Sequence, residues 1–442
     1  MSQDYALSNS APLERDARLV SGDAKVAPGE IAVAVIIGRT SEFFDFFVYG
    51  IASVLVFPQL LFPEFDPLTA TLYSFAIFSL AFIARPIGSV IFMQVDRRHG
   101  RGVKLTIALF LLGGSTAAMS FLPGYAQIGF VAAGLLAFLR ICQGLALAGA
   151  WDGLASLLAL NAPQKHRGWY AMMPQLGAPL GFLLAAGLFA FFVSNLSNED
   201  FLDWGWRYPF FVAFAINVVA LFARLRLVVT DEFTALLERR ELRPTPVWRM
   251  FRAEGRNVLI GAFAALASFA LFHLVTIFPL SWVTLYTGRH AREFLVTEMV
   301  GAMVCVVAVI ASGAIADRIG RRTLLAICAV LIGLFSFAAP FLLSGGATSE
   351  AGFIFLGFAL LGLSHGQASG AVTSNFSTQY RYTGAALTSD MSWLLGAAFA
   401  PLVALGLSAK FGLAFVGLYL LSGAVCTGVS LLINRRMLDI RD

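Results

Sequence analysis

The sequence predicts an all-α membrane protein in which twelve transmembrane helices form two pseudo-symmetric six-helix bundles. Three observations predict it: a composition too apolar for a water-soluble surface, twelve apolar runs of spanning length, and a basic loop motif that recurs half a chain apart.

Of the 442 residues, 58% are hydrophobic and only 13% charged, about half the charged fraction of soluble globular chains. The mean hydropathy is +0.79. A soluble core this apolar would leave too few polar side chains to cover its surface, a conflict that lipid removes. Phe and Gly each occur 41 times, combining large lipid-facing side chains with small ones that let helices approach. The net charge of +5 resides in short loops between apolar runs, a pattern of membrane anchoring and not of nucleic-acid binding. Cys142, Cys305, Cys328 and Cys426 lie in separate apolar segments without metal-ligand spacing, so no disulfide, metal or cofactor is expected.

Residues 1–28 are polar and mixed in charge, lack a basic segment followed by a short apolar one, and read as a disordered cytoplasmic tail rather than a cleaved signal. A first bundle is expected over 29–229, with apolar runs at about 31–61, 68–94, 104–122, 126–161, 168–193 and 207–229. A second is expected over 257–436, with runs at about 257–286, 294–316, 323–344, 351–376, 384–408 and 411–434. Each run approaches or exceeds the ~20 residues that span ~30 Å of hydrocarbon. Between the bundles, 230–256 holds Arg239, Arg240, Arg243, Arg249, Arg252 and Arg256 interleaved with Trp248, Met250 and Phe251, which reads as a basic amphipathic helix on the inner leaflet. Residues 437–442 form a cytoplasmic tail.

Loop charge orients the chain. Arg97, Arg98, Arg101 and Lys104 follow the second run, Lys165 and Arg167 the fourth, Arg318, Arg321 and Arg322 the eighth, and Arg435, Arg436 and Arg441 the last. The opposite loops are nearly free of Lys and Arg, apart from Arg289 and Arg292. Both termini are therefore expected in the cytoplasm.

The halves repeat: Asp96-Arg97-Arg98-His99-Gly100-Arg101 and Asp317-Arg318-Ile319-Gly320-Arg321-Arg322 begin 221 positions apart. Duplicated six-helix halves place a substrate site at mid-membrane between them. Further motifs run in order from about Ile37: Glu42-Phe43-Phe44-Asp45-Phe46 with Tyr49-Gly50, then Ala84-Arg85-Pro86-Ile87-Gly88, Arg140-Ile141-Cys142-Gln143-Gly144, Trp204-Gly205-Trp206-Arg207-Tyr208-Pro209-Phe210 and Arg381-Tyr382-Thr383-Gly384. Together they resemble the major facilitator superfamily, and within it the metabolite:proton symporters, the group of α-ketoglutarate, citrate, shikimate and proline/betaine carriers. The resemblance implies a monomeric inner-membrane carrier that moves a small metabolite with protons by alternating access, without a cofactor. It also implies a cytoplasmic gate made by Asp96 with Arg97 and Arg101, and by Asp317 with Arg318 and Arg321. The chain differs from the family pattern in having Arg39 for Asn, Ala150 for Glu with an acid at Asp152, and Asn375 and Ser377 for Glu and Pro.

Ionisable side chains at mid-bilayer cost roughly 2.5–3.5 kcal/mol each, so each needs a partner or a role. Arg39, Glu42 and Asp45 are spaced by three on the first helix, roughly 12–21 Å from its inner end at ~1.5 Å per residue. Arg39, Arg85 and Arg140 balance Glu42, Asp45 and Asp152. Protonation of one carboxylate would leave a positive charge for a substrate carboxylate to neutralise, coupling the two reciprocally. Arg140 is the first candidate for substrate contact, because a guanidinium grips a carboxylate bidentately. Arg39, Arg85, Gln143, Tyr49, Trp151 and Gln175 are further candidates, each equally explained by helix packing or static pairing. Glu42, Asp45, Asp152 and Asp390 are the candidate proton carriers, Asp390 having no Arg or Lys within a helical turn. His273 and His365 read better as satisfied interhelical donors than as relays, and Glu298 is expected to face an outer vestibule. The expected function is proton-coupled uptake of an organic carboxylate. Uniport, proton-coupled export and symport of a zwitterion such as betaine remain open, as do a nutrient sensor, a channel and a membrane enzyme, although no His-Glu-x-x-His or comparable catalytic arrangement occurs.

Overall fold

A computed structural model describes residues 28–150, 158, 163–228, 243–368 and 376–433, and among these every regular element is helical. Among the described residues, eleven segments are long and apolar enough to cross a membrane. A twelfth long helix, Pro28–Leu55, has 28 residues but carries Arg39, Glu42 and Asp45. In chain order the long helices are α1 (Pro28–Leu55), α2 (Pro67–His99), α3 (Arg101–Ser120), α4 (Val131–Gly149), α5 (Arg167–Asn195) and α6 (Arg207–Val228). The second half contains α7 (Leu266–Thr287), α8 (Ala291–Ile319), α9 (Arg321–Ser344), α10 (Ala347–Ala368), α11 (Arg381–Phe411) and α12 (Leu413–Ile433). A further helix, Val247–Ala264, leads into α7 and kinks at Glu254.

The repeat is visible in the backbone. Gly100 and Gly320, the turns of the two Asp-Arg loops, have φ of 88° and 86°, a region that admits glycine but strains any residue with a Cβ. A second repeated feature lies at the opposite end of the bundle. Val56-Phe57-Pro58 and Ile277-Phe278-Pro279 are also 221 positions apart, and each interrupts the first helix of its half. Val56 (φ −119°, ψ −60°) and Ile277 (φ −122°, ψ −46°) have nearly the same non-helical backbone, because the prolines at 58 and 279 cannot donate the helical hydrogen bond that would bridge the break.

Small residues hold each half together. Within the first half, a Cβ on Gly144 would collide with the Ala81 carbonyl oxygen, and Gly177 and Gly181 abut the α1 backbone at Arg39 and Phe44. Such contacts supply the van der Waals attraction that replaces the hydrophobic effect in lipid. Two seams join the halves: α2 packs on α11, and α5 packs on α8. These are equivalent pairs under the repeat. Gly149 of α4 packs on Phe92 and Ala108.

Close packing at Gly144 yields a direct expectation. Gly144→Ala should lower stability by about 1–3 kcal/mol through overpacking, read as a lower melting temperature in detergent. Gly134→Ala, whose added Cβ meets nothing within 4 Å, should leave it unchanged.

Candidate functional site

The centre of the molecule is an aromatic plug between the halves. Phe43, Phe46 and Phe47 occupy one face of α1 because residues three and four apart share a helix face. Opposite them stand Phe272 and His273 of α7 and Trp393 of α11. Ring centroids lie 5.7 Å apart for Phe47 and Phe272, 5.2 Å for Phe46 and His273, and 5.9 Å for Phe82 and Trp393. Beside the plug are two small spaces. One, of about 290 Å³, is bounded by Arg39, Glu42, Phe43, Phe46, Phe82, Arg85, Leu147 and Trp393. The other, of about 280 Å³, lies among Phe47, Gln175, Phe182, Phe272, Thr276, Cys305, His365 and neighbours.

The ionisable side chains around the plug divide into three groups. Arg39 and Glu42 pair on α1 at 2.5 Å, with the guanidinium 4.9 Å from the Phe43 ring centre. Asp45 turns away from Glu42 into the first half. There it accepts hydrogen bonds from Thr116 at 2.5 Å and from Gln143 at 3.4 Å. Gln143 in turn accepts from Arg140 at 2.9 Å, so Arg140 and Asp45 share a bridging amide rather than a direct ion pair. The third group crosses the seam: Arg85 of α2 binds Asp390 of α11 at 3.1 Å, and Ser89 donates to the same carboxylate. Asp390 thus has a cationic partner, supplied by the other half and invisible to a search along its own helix. The balance of charge expected within the first bundle alone is corrected accordingly. Trp151 and Asp152 lie outside the described residues.

Arg140 is almost fully buried. Its Nε donates to the Phe78 carbonyl at 3.2 Å, and Nη1 serves Gln143. Its Nη2 has no partner among the described residues. Three rings surround the guanidinium, with Tyr49 at 4.0 Å, Phe78 at 5.0 Å and Phe46 at 5.5 Å. Among the same residues the buried Tyr49 hydroxyl is also unpartnered, as are both ring nitrogens of His273 and of His365. The expectation that these histidines are satisfied interhelical donors is therefore overturned: each packs among aromatic rings that offer no acceptor. Gln175 borders the second space. No group of His, Cys, Asp or Glu suited to a metal occurs among the described residues.

Among the described residues, contacts join the halves toward both ends of the bundle. At the basic end Asp96 is met by Lys104 at 3.1 Å and Arg101 at 3.8 Å, and accepts from the Tyr382 hydroxyl of α11 at 3.3 Å. Lys104, nearly fully buried, also donates to Tyr382 at 2.9 Å. Asp317 of α8 accepts from the backbone N–H groups of Gly168 and Trp169 at 2.7 and 3.3 Å, the unpaired donors of the first turn of α5. Each repeated Asp therefore binds the start of the fifth helix of the opposite half. Arg97 and Arg318 are exposed, and Arg321 is half-buried; the partners of Asp96 and Asp317 differ from the motif arginines at 97 and 318. Lys104 read as a loop charge in the sequence, and a backbone donor such as Gly168 carries no side-chain signal. At the opposite end Ile277 presses on Gly50, and Ser79 donates to the Ala398 carbonyl at 2.8 Å. Arg289, against the loop-charge trend, binds the buried Glu350 at 2.5 Å.

Comparison with known proteins places this geometry among carriers. A sequence profile described as Major Facilitator Superfamily matches residues 40–401. The chain is 38% identical over 411 residues to the inner membrane metabolite transport protein YhjE of Escherichia coli, covering 92% of this chain and 93% of that one. It is 31% identical to the shikimate transporter of E. coli, covering 98% and 99%, and 29% identical to the proline/betaine transporter of Salmonella typhimurium, covering 90% and 82%. A crystal structure of a D-xylose-proton symporter superposes with a TM-score of 0.69 at 17% identity, covering 92% and 97% of the two chains, a likeness of fold.

The inter-half pair predicts non-additive mutations. Arg85→Gln and Asp390→Asn should each destabilise by about 3–5 kcal/mol, because each strands a buried partner, while the double variant should lose less than their sum. Thermal melting of all four proteins measures the difference.

Proposed function

The chain belongs to the Major Facilitator Superfamily, and we propose that it imports a small organic carboxylate together with protons. It is a multi-pass membrane secondary transporter and not an enzyme. One observation carries the carboxylate reading: Arg140 is buried, immobilised by two hydrogen bonds, and has one unpartnered Nη2 beside the plug. Burial of a guanidinium costs several kcal/mol, and the rings around it return only part of that. A carboxylate entering as the plug opens would supply the missing acceptor.

The proton reading rests on the Arg85–Asp390 bridge. Asp390 ionised ties the halves together across the α2–α11 seam; protonated, it releases Arg85 and lets the seam part. Glu42 and Asp45 are further carriers, Glu42 through its pair with Arg39 and Asp45 through the amide shared with Arg140. With the Arg-rich loops in the cytoplasm, the Asp96 and Asp317 contacts form the cytoplasmic gate, and both termini face the cytoplasm. A monomer contains the complete path. A zwitterion is the second reading, favoured by the rings of Phe43, Phe82 and Trp393 beside Glu42, which suit a quaternary ammonium, with Arg39 and Arg85 on the same space to meet its carboxylate.

Uptake into proteoliposomes with an imposed inward proton gradient tests both readings, using radiolabelled shikimate, α-ketoglutarate, proline and glycine betaine. Accumulation of a carboxylate, collapsing with the gradient, is the expected result. Arg140→Ala should raise its apparent KM at least about tenfold, the loss of a charge-assisted contact of about 1.5–3 kcal/mol. Asp390→Asn should abolish uphill accumulation while leaving exchange counterflow. Unchanged uptake in Arg140→Ala would remove the basis of the carboxylate assignment.

A further inference from the structure

A buried carboxylate outside the central site remains unexplained. Glu298 lies two turns from the start of α8 and is fully buried, so the vestibule expected to wet it is closed here. Neither carboxylate oxygen has a hydrogen-bond partner among the described residues. The contrast with Glu350 is informative, because that equally buried acid at the same end of the bundle is held by Arg289.

The helical period places Glu298 on the same face of α8 as Cys305, two turns further in. Cys305 borders the space between the halves, with Phe47 and Phe182 across from it. Glu298 therefore shares the inter-half face of α8. Among the described residues, none of the helices packed on α8 offers it a charge. The outer part of α5 (Gly177–Asn195) contains no titratable residue. The first turns of α5, with Arg167 and Tyr170, and the preceding Lys165 and His166, pack at the far, basic end. On α10 the titratable groups are Glu350, already paired, and His365; α9 carries Arg321 and Arg322 at the basic end, and α7 ends in the partly exposed Tyr286. On α8 itself Arg292, Glu293 and Arg318 are exposed.

An ionised carboxylate so enclosed would have neither water, donor nor counter-charge, so this closed state accommodates the neutral acid. When the outer ends of α5 and α8 separate, water reaches the same face and the acid ionises. We propose that Glu298 is a proton-binding site whose loading permits closure of the outer side. Closure takes up one proton from the outside, and opening returns it. By linkage, acid outside favours the closed state and alkali the open one. The inference rests on the alternating-access reading above but requires no knowledge of the substrate.

Cys305 is a built-in reporter beneath Glu298. With Cys142, Cys328 and Cys426 replaced by serine, its labelling from outside can be timed in right-side-out vesicles. Two membrane-impermeant methanethiosulfonates are used, one cationic and one anionic. Dividing the rate by that of the same protein carrying Glu298→Gln cancels the thiol's own ionisation. The ratio should rise at least about tenfold as external pH goes from about 5.5 to 8.5, equally for both reagents, and Glu298→Asp should restore the rise. If Glu298→Gln fails to fold, Glu298→Ser serves as the neutral reference. A ratio flat with pH, opposite responses of the two reagents, or no labelling at any pH would overturn the proposal. Because no substrate is added, the labelling responds or fails to respond even in a chain that carries none of the four probe compounds. Failure of this inference is thereby separated from failure of the carboxylate reading.

Discussion

The Arg85–Asp390 contact organises the rest of the molecule, because it places the partners of a largely buried ion pair on opposite sides of the surface between the halves. In lipid an ionised side chain cannot be left alone, and this chain draws several of its partners from the other half. Asp96 meets Tyr382, Asp317 meets the first turn of α5, and Asp390 meets Arg85. Glycine and alanine bring backbones together inside the first half, at α2 with α4 and at α1 with α5, and again across the α5–α8 seam at Gly168, Gly313 and Ala316. The halves are thus joined by shape as well as by charge, hydrogen bonds and rings. Dispersion contacts persist through a rigid-body motion, whereas polar contacts can be exchanged for water, a proton or a ligand.

Much of this could be read from the residues. Apolar runs located the helices, and the loops beginning at Asp96 and Asp317 announced the duplication, down to the glycine whose φ is positive in both. Arg140, Glu42 and Asp45 stood out as charges in apolar helices. What stayed hidden was partnership. Asp390 reads as solitary along its own helix, since Arg85 lies 305 positions away. Lys104 reads as a loop charge, although it is buried against Asp96 and Tyr382. Asp317 binds backbone N–H groups, which no residue type advertises. The histidines misled for a related reason: an imidazole in a membrane helix is expected to find an acceptor, and His273 and His365 find only rings. Arg289 contradicted the loop-charge trend because its role is to neutralise Glu350, a local demand that outweighs topology.

The aromatic plug accounts for the orphaned polar groups near the centre. Phe46 and Phe78 lie against both Arg140 and His273, so rings fill the volume in which acceptors would otherwise sit. Rings at the centre exclude water while retaining some attraction for a cation. The unpartnered groups keep that arrangement from being too stable, which leaves room for a ligand to compete.

The matched interruptions at Val56 and Ile277 have a mechanical consequence. Each half begins with a helix that is jointed at its outer end, and Ile277, in one joint, lies directly against Gly50 near the other. The two lead helices therefore touch beside their elbows, and the duplicated ancestry of the chain reappears as a contact between its equivalent parts.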